Sequence, residues 1–486
     1  MLSTRGLTAD ALGLRWLPPM TRPAIPLHLV ACAAATLTGL TVLGMALAGP
    51  VLGVVAGGAL ALAWLVIARP RQAVALWMFA GPTLAGMISA LFPGNAVALT
   101  PDRAIGLGLG LLALVGMLAG RGKPLDLIER LWLGFGGVCL VSLLMTGGSP
   151  QFFGGMRADL TFLVLGYGLP AAGYFVSRRL AGDEPGARAL LWSIALVGVV
   201  LALTGVLQVG ASTTVFQSDR YLATTKDRAV GTVSSPGEYG LMLIAGICAT
   251  TVLTLRMGGI ARATTGAVLG LMLVALVLCK TRVFLGCGMA AAVVLGWRIP
   301  ALRRGLLIGG GAILAIVVVA VPFLVDMAAL ERRMTELGPL YNRIALSSTA
   351  ANAVVHNPIV GVGFGRNSFL LNKADYLTSM LGVPTYWAMS NVGVPHCEVL
   401  HLLFMVGLVG TIPWLMIWCH SLKKAHATPR DGSLESDLAA VALACMASFL
   451  LTGLTLDTGM MYLSSLQMWV LLGVLAGMRD RRLGLA

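Results

Sequence analysis

Apolar runs long enough to cross a bilayer recur along nearly the whole chain, and no other feature limits its fold as much. A hydrocarbon layer of about 30 Å takes about 20 apolar residues in a helix. Candidate spans cover 26–48, 50–68, 72–92, 104–120, 128–146, 157–177 and 188–210, then 236–256, 262–279, 283–297, 304–325, 396–420, 436–456 and 459–478. The runs are continuous rather than alternating, which excludes a membrane β-barrel. A backbone away from water must then pair within helices. Charged residues make up 11% of the chain, under half the roughly 25% of a soluble domain. The expected fold is an all-α polytopic membrane protein of about 12–14 transmembrane helices. Residues 1–325 form an N-terminal bundle of about eleven spans, 326–395 a large outer segment, and 396–486 a C-terminal group of about three spans. The count is least fixed at 262–279 and 283–297, split only by Lys280-Thr281-Arg282.

A formal net charge of +14 does not point to nucleic acid, because most Lys and Arg lie in short loops between apolar runs. With the N-terminus inside, as the positive-inside rule requires, 22 of the 34 basic residues fall on the inner side and both termini are cytoplasmic. The basic start, with Arg5, Arg15 and Arg22, lacks a small-residue cleavage site and reads as a cytoplasmic tail. Ten of the twelve outer cations cluster in 211–235, 280–282 and 326–395. Outer clusters run against the rule, so an anion is expected there. The eight cysteines show no C-x2-C spacing and read as small buried hydrophobes. Within 326–395, Met327, Leu330, Met334 and Leu337, and again Leu370, Ala374, Leu377 and Leu381, recur at helical spacing. Both sets predict amphipathic helices on the outer surface.

Titratable side chains gather between His356 and Gly410. Asn357-Pro358 and Gly361, Gly363 and Gly365 favour irregular backbone. With no preceding strand and no following Gly-Lys-Ser/Thr, these glycines do not make a nucleotide loop. Pro395 predicts a fresh helix start, with His396 at its N-terminus. There the helix dipole would keep the imidazole uncharged, as a general base near pH 7 requires; a helix-capping or interfacial histidine is the plain alternative. Glu398 is two residues on and diverges from His396 on a helix, so it orients a substrate or pairs with an arginine. His401 reads as a packed histidine, and Asp457, at the outer turn between the last two spans, could reach the same cavity. Arg282, with Lys280, stands at the outward mouth of two spans, where an arginine is costly. Its planar fork suits a diphosphate, against the alternative of a snorkelling anchor. Arg220, Lys226 and Arg228 form either a phosphate cradle or a solvated charge run. Glu238 is a buried acid or an N-terminal helix charge, and Arg157 and Asp159 are weaker candidates.

His396, Leu400, Gly407 and Gly410, in the register H-x3-L-x6-G-x2-G, resemble the closing signature of the O-antigen ligase and polymerase family of bacterial membrane proteins. Asn357-Pro358, Gly361, Gly363 and Phe369 are similar to its N-P-x-x-G-x-G run and the phenylalanine that follows. Arg228, Gly231, Thr232 and Pro236 are similar to its R-x-x-G-T-x-x-x-P-N run, with Gly237 in place of the Asn, and Thr281-Arg282 resembles its Ser/Thr-Arg pair. Cys397 stands where the family usually has Asn, and Met405 where an acid is common.

The resemblance implies a membrane glycosyltransferase at the periplasmic face of a bacterial inner membrane. Its donor is a glycan on a polyprenyl diphosphate, and its acceptor a glycan or lipid-linked glycan. His396 is then the general base in an inverting transfer. Arg282, Arg228, Arg220 and Arg343, with Lys280, hold the diphosphate, and Glu398 contacts substrate. Arg343 has a loop salt bridge to Glu336 or Asp375 as its alternative. No metal, cofactor or ATP is expected. The product is a surface polysaccharide (lipopolysaccharide O-antigen or exopolysaccharide), with assembly and export proteins as candidate partners. Cys397 and Met405 lean the reading toward a polymerase rather than a ligase. A transporter or flippase using Glu238, Glu398 and His396 as a proton relay predicts mid-span ionisable residues and repeat symmetry, and neither is found. A non-catalytic scaffold stays open.

Overall fold

A computed structural model describes residues 58, 61–91, 101–120, 123–150, 154–211, 228–233, 235–305, 338–379, 382–389 and 394–484. The candidate span 26–48 lies outside them, as do most of 50–68 and of 304–325. The described helices are α1 (Pro70–Leu91), α2 (Pro101–Leu118), α3 (Leu127–Thr146), α4 (Gly155–Leu163), α5 (Leu169–Leu180), α6 (Glu184–Gly210), α7 (Pro236–Leu255) and α8 (Gly259–Leu278). There follow α9 (Arg282–Arg298), α10 (Gly338–His356), α11 (Ser368–Asn372), α12 (Glu398–His426), α13 (Leu434–Gly453) and α14 (Tyr462–Arg482). A π-helical turn, Val164–Gly168, joins α4 to α5 into one crossing. Among the described residues there is no strand, and seven helices are long and apolar enough to cross a membrane: α3, α4–α5, α6, α7, α8, α12 and α13. The chain is an all-α polytopic membrane protein.

Polar caps start the crossings where the apolar runs begin. Asp126 and Glu129 form a reciprocal capping box on α3, and Asp183, Ser235 and Ser433 accept the first free N–H groups of α6, α7 and α13. Large side chains such as Leu133, Leu144, Val277 and Val293 stay exposed on the outside of the bundle, as lipid contact allows.

Ion pairs gather the basic residues expected on the inner side at one end. Arg178 reaches Glu129 and Asp480 at 2.8 Å each, Arg179 joins the same Glu129, and Lys424 reaches Asp126 at 2.7 Å. Arg256 meets Asp437 and Arg71 meets Asp183, while Arg298 donates to the carbonyls of His426 and Thr428. These contacts place the starts of α1, α3, α6 and α13 with the ends of α5, α7, α9, α12 and α14. We call this the basic end. An aromatic chain ties the bundle from inside: Trp418–Trp469–Trp132–Phe135–Tyr167–Phe162–Phe364, with successive centroids 5.1–5.9 Å apart. Such pairs contribute about 0.5–1.5 kcal/mol each beyond area burial.

Segment 326–395 differs in detail from the expectation. Met327–Leu337 lies outside the described residues. The helix expected over Leu370–Leu381 is two short pieces, α11 and a 3-10 turn that ends at Tyr376. The long helix is α10, just upstream, rich in Ser, Thr and Asn. Tertiary bonds hold it: Asn342 donates to the Trp387 carbonyl at 2.7 Å and Asn352 to the Tyr376 carbonyl at 2.9 Å.

Candidate functional site

The site grows from a break in α12. Gly407 sits at φ 56°, ψ −159°, close to a conformation essentially reserved for glycine. The break frees the groups that a continuous helix would pair, namely the N–H of Leu408 and Val409 and the carbonyls of Phe404 and Met405. The Gly-rich run fills the gap. Leu408 and Val409 donate to the carbonyls of Pro358 and Ile359 at 2.9 and 3.1 Å, and Val362 and Gly363 donate to Phe404 and Met405 at 2.7 and 3.1 Å. The run is thus spliced into the hydrogen-bond ladder of α12. Irregular backbone at membrane depth survives only when its polar groups are satisfied in this way.

Glycines make the seam close enough to bond. A Cβ on Gly361 would lie 2.7 Å from the Gly407 nitrogen, and one on Gly407 would strike the Ile359 carbonyl. Asn357 donates to the Tyr376 hydroxyl at 2.9 Å, and Phe369 packs edge-on against Phe404 at 5.1 Å. Beyond the seam, the Phe364 N–H donates to the Ser142 hydroxyl. The buried Asp159 carboxylate clasps two loops, accepting from the Ser149 and Arg366 N–H groups at 2.7 Å each. The residues that carried the sequence resemblance on 357–369 and on α12 therefore meet in space.

His396 does not open the helix. Cys397 is the N-cap of α12, and His396 stands one residue earlier in the left-handed region at φ 57°. A non-glycine residue there costs about 1–2 kcal/mol. Among the described residues, only His396 and Lys280 adopt a positive φ without being glycine. The ring is half-buried, and its Nδ1 has no hydrogen-bond partner. Burial, and then the charge of Arg343, hold its pKa below the ordinary imidazole value, while Asp457 opposes them. The direction is the one a neutral base needs, and burial and Arg343 contribute to it. Arg343 is exposed on α10, which is tied to the residue before His396 by the Ser347 hydroxyl donating to the Pro395 carbonyl at 3.1 Å.

Behind His396 lies a buried polar cluster. The Glu398 carboxylate accepts from the Thr458 hydroxyl and the Gly459 N–H, both at 2.9 Å. Asp457 accepts from the same Gly459 N–H at 3.0 Å and pairs with His401 Nδ1 at 2.8 Å. Glu398, Asp457 and His401 are 3%, 5% and 1% exposed. The π-helical turn aims Tyr167 at this turn, with its hydroxyl against Gly459. Burial penalises the Asp457 carboxylate, but His401 and the Gly459 N–H outweigh it and keep its pKa below the usual carboxylate range. Glu398 thus turns onto the 457–459 turn, neither toward an open cavity nor onto an arginine. His401, which reads from sequence as mere packing, belongs to the cluster. An imidazole and two acids within an apolar context are themselves a signal, because such groups are costly there.

The cations fall at the same end of the bundle. The Ala229 N–H donates to the Leu278 carbonyl at 3.1 Å, and the Cys279 thiol donates to the Pro236 carbonyl. Arg228 therefore lies beside the α8–α9 junction, where Lys280 and Arg282 are exposed. The α7 start continues the contact, since the buried Glu238 accepts from the Leu463 N–H at 2.7 Å, next to the 457–460 turn. Arg228, Lys280, Arg282, Arg343 and His396 thus share the end opposite the basic end. Arg220 and Lys226 lie outside the described residues. A scan against protein-family models and a search of curated proteins both find no match.

Proposed function

We propose that this chain is a membrane glycosyltransferase that moves or polymerises a glycan from a polyprenyl-diphosphate donor at the periplasmic face of a bacterial inner membrane. The observation that carries the reading is the pair of left-handed non-glycine residues, His396 and Lys280. Backbone strain of this kind clusters at functional sites, and these two are a candidate base and a candidate phosphate-binding cation at one end of the bundle. The apolar helices fit a lipid-borne donor, and the opposite, ion-paired basic end fits the cytoplasmic side under the positive-inside rule.

In this reading the neutral His396 imidazole takes the proton of an acceptor hydroxyl as its oxygen attacks the anomeric carbon. The bond to the diphosphate breaks with inversion. Arg282, Arg228 and Arg343, with Lys280, hold the diphosphate and stabilise the charge growing on it as it leaves. Arg220 joins them on the sequence resemblance alone. Glu398 acts by holding the start of α12 in place. The test is polymer formation in cells carrying His396→Ala or Arg282→Ala, with analysis of what collects on the carrier. Single repeat units indicate a polymerase and complete unattached chains a ligase. Wild-type polymer from both variants refutes the assignment.

A further inference from the structure

We propose that Glu398, Asp457 and His401 form one buried anionic counterweight behind His396, with Asp457 and His401 as positioning residues of the reaction centre. The inference rests on His396 being the base of the proposed function. Three geometric facts support it. Glu398 and Asp457 converge on a single donor, the Gly459 N–H, at 2.9 and 3.0 Å. His401 approaches the other Asp457 oxygen at 2.8 Å, which keys the carboxylate in place. All three side chains are almost wholly buried, so their charge is poorly screened.

Two carboxyl groups this close do not both ionise, so the pair holds one negative charge and one proton. His401 Nδ1 faces the carboxylate at 2.8 Å, and its Nε2 has no partner. The groups facing Asp457 are Glu398 and His401 on α12 and Tyr167 on the π-helical turn. Arg343 of α10 also acts on the His396 ring, in the sense opposite to Asp457. His396 is thus under the opposed influence of a cation and an anion, and the anion is fixed by the buried His401. The same bonds seat the first turn of α12, two residues beyond His396, on the 457–459 turn.

The chain has six histidines, few enough for nitrogen-15 histidine spectroscopy of the full-length protein in detergent, with His396 assigned by its loss in His396→Gln. In Glu398→Gln/Asp457→Asn the His396 midpoint should fall by roughly half a pH unit or more, the scale of one removed charge several ångströms away in a medium of effective dielectric about 20–40. Asp457→Asn alone should move it the same way by less, because Glu398 remains to carry the charge. His401→Asn keeps an N–H toward Asp457 and should leave the midpoint unchanged, whereas His401→Leu should lower it. An unchanged or raised midpoint in Asp457→Asn and in the double variant overturns the proposal; if the double variant does not fold, Asp457→Asn alone decides. No glycan enters these spectra. A His396→Ala strain that still makes polymer would therefore refute the proposed function without altering the titration result.

Discussion

Gly407→Ala tests whether the spliced seam is a structural necessity. Two responses are open to the variant. Alanine can keep the broken geometry, at about 1–3 kcal/mol for a backbone conformation that only glycine adopts freely, and with its Cβ against the Ile359 carbonyl. Otherwise α12 closes and the Gly-rich run withdraws. Four cross-bonds are then lost and two helical bonds regained, a net loss of about 2 kcal/mol at about 1 kcal/mol per bond. Withdrawal also unburies Phe364 and Phe369, at about 1.5–3 kcal/mol for each side chain exposed. Keeping the break is the cheaper response, so the expected destabilisation is about 2–4 kcal/mol. Thermal unfolding in detergent reads it as a midpoint lowered by several degrees. Gly137→Ala on α3 is the control, since its Cβ would meet nothing within 4 Å. Gly361→Ala should lose a similar amount, and the double variant should lose less than the sum, because both changes damage one seam. Wild-type unfolding of Gly407→Ala, or strict additivity with Gly361→Ala, would refute the splice.

His396→Gly and His396→Ala should both abolish polymer, yet the glycine variant should be more stable by about 1 kcal/mol, since it relieves the left-handed strain; equal thermal midpoints would contradict that strain. His396 has a lowered pKa in the folded chain, so at pH values between that midpoint and about 6.5 the unfolded chain binds more protons. Stability should therefore fall as pH drops through this window, and His396→Ala should remove that slope in unfolding midpoints measured against pH. At the basic end, Arg178→Met leaves Glu129 to Arg179 alone and Asp480 to Lys123 at 3.8 Å, and should cost less than the about 3–5 kcal/mol of a fully orphaned buried charge in the same unfolding assay.

What could be read from the sequence, and what could not, divides along the range of the interactions involved. Crossing helices are local: an apolar run and a polar cap are contiguous, and α3, α6, α7 and α13 lie close to where those signals put them. The gathering at one end of the Lys and Arg that the topology rule groups together was also legible, because one rule acts on every loop. Helix α10 was not, since its Ser, Thr and Asn content carries little periodicity and its partners, Trp387, Pro395 and Tyr376, come later in the chain. The glycines at 361 and 407 were visible as motif positions, but spacing alone could not say that each exists to admit the backbone of the other. Likewise 56 residues separate His401 from Asp457. The available clue was energetic: a buried imidazole beside an apolar helix surface needs a partner, and Asp457 is the acid at the turn between the last two candidate spans, the next loop downstream expected on the same side. The surroundings of His396 were hidden for a related reason. A helix terminus is local in sequence, whereas burial and Arg343 arrive only when α10 packs over the start of α12. On the proposed function, the reaction centre has its base on one segment, its cation on another and its anion on a third. A change far from His396 in sequence, at Ser347 or Thr458, should then shift the imidazole's titration without touching it.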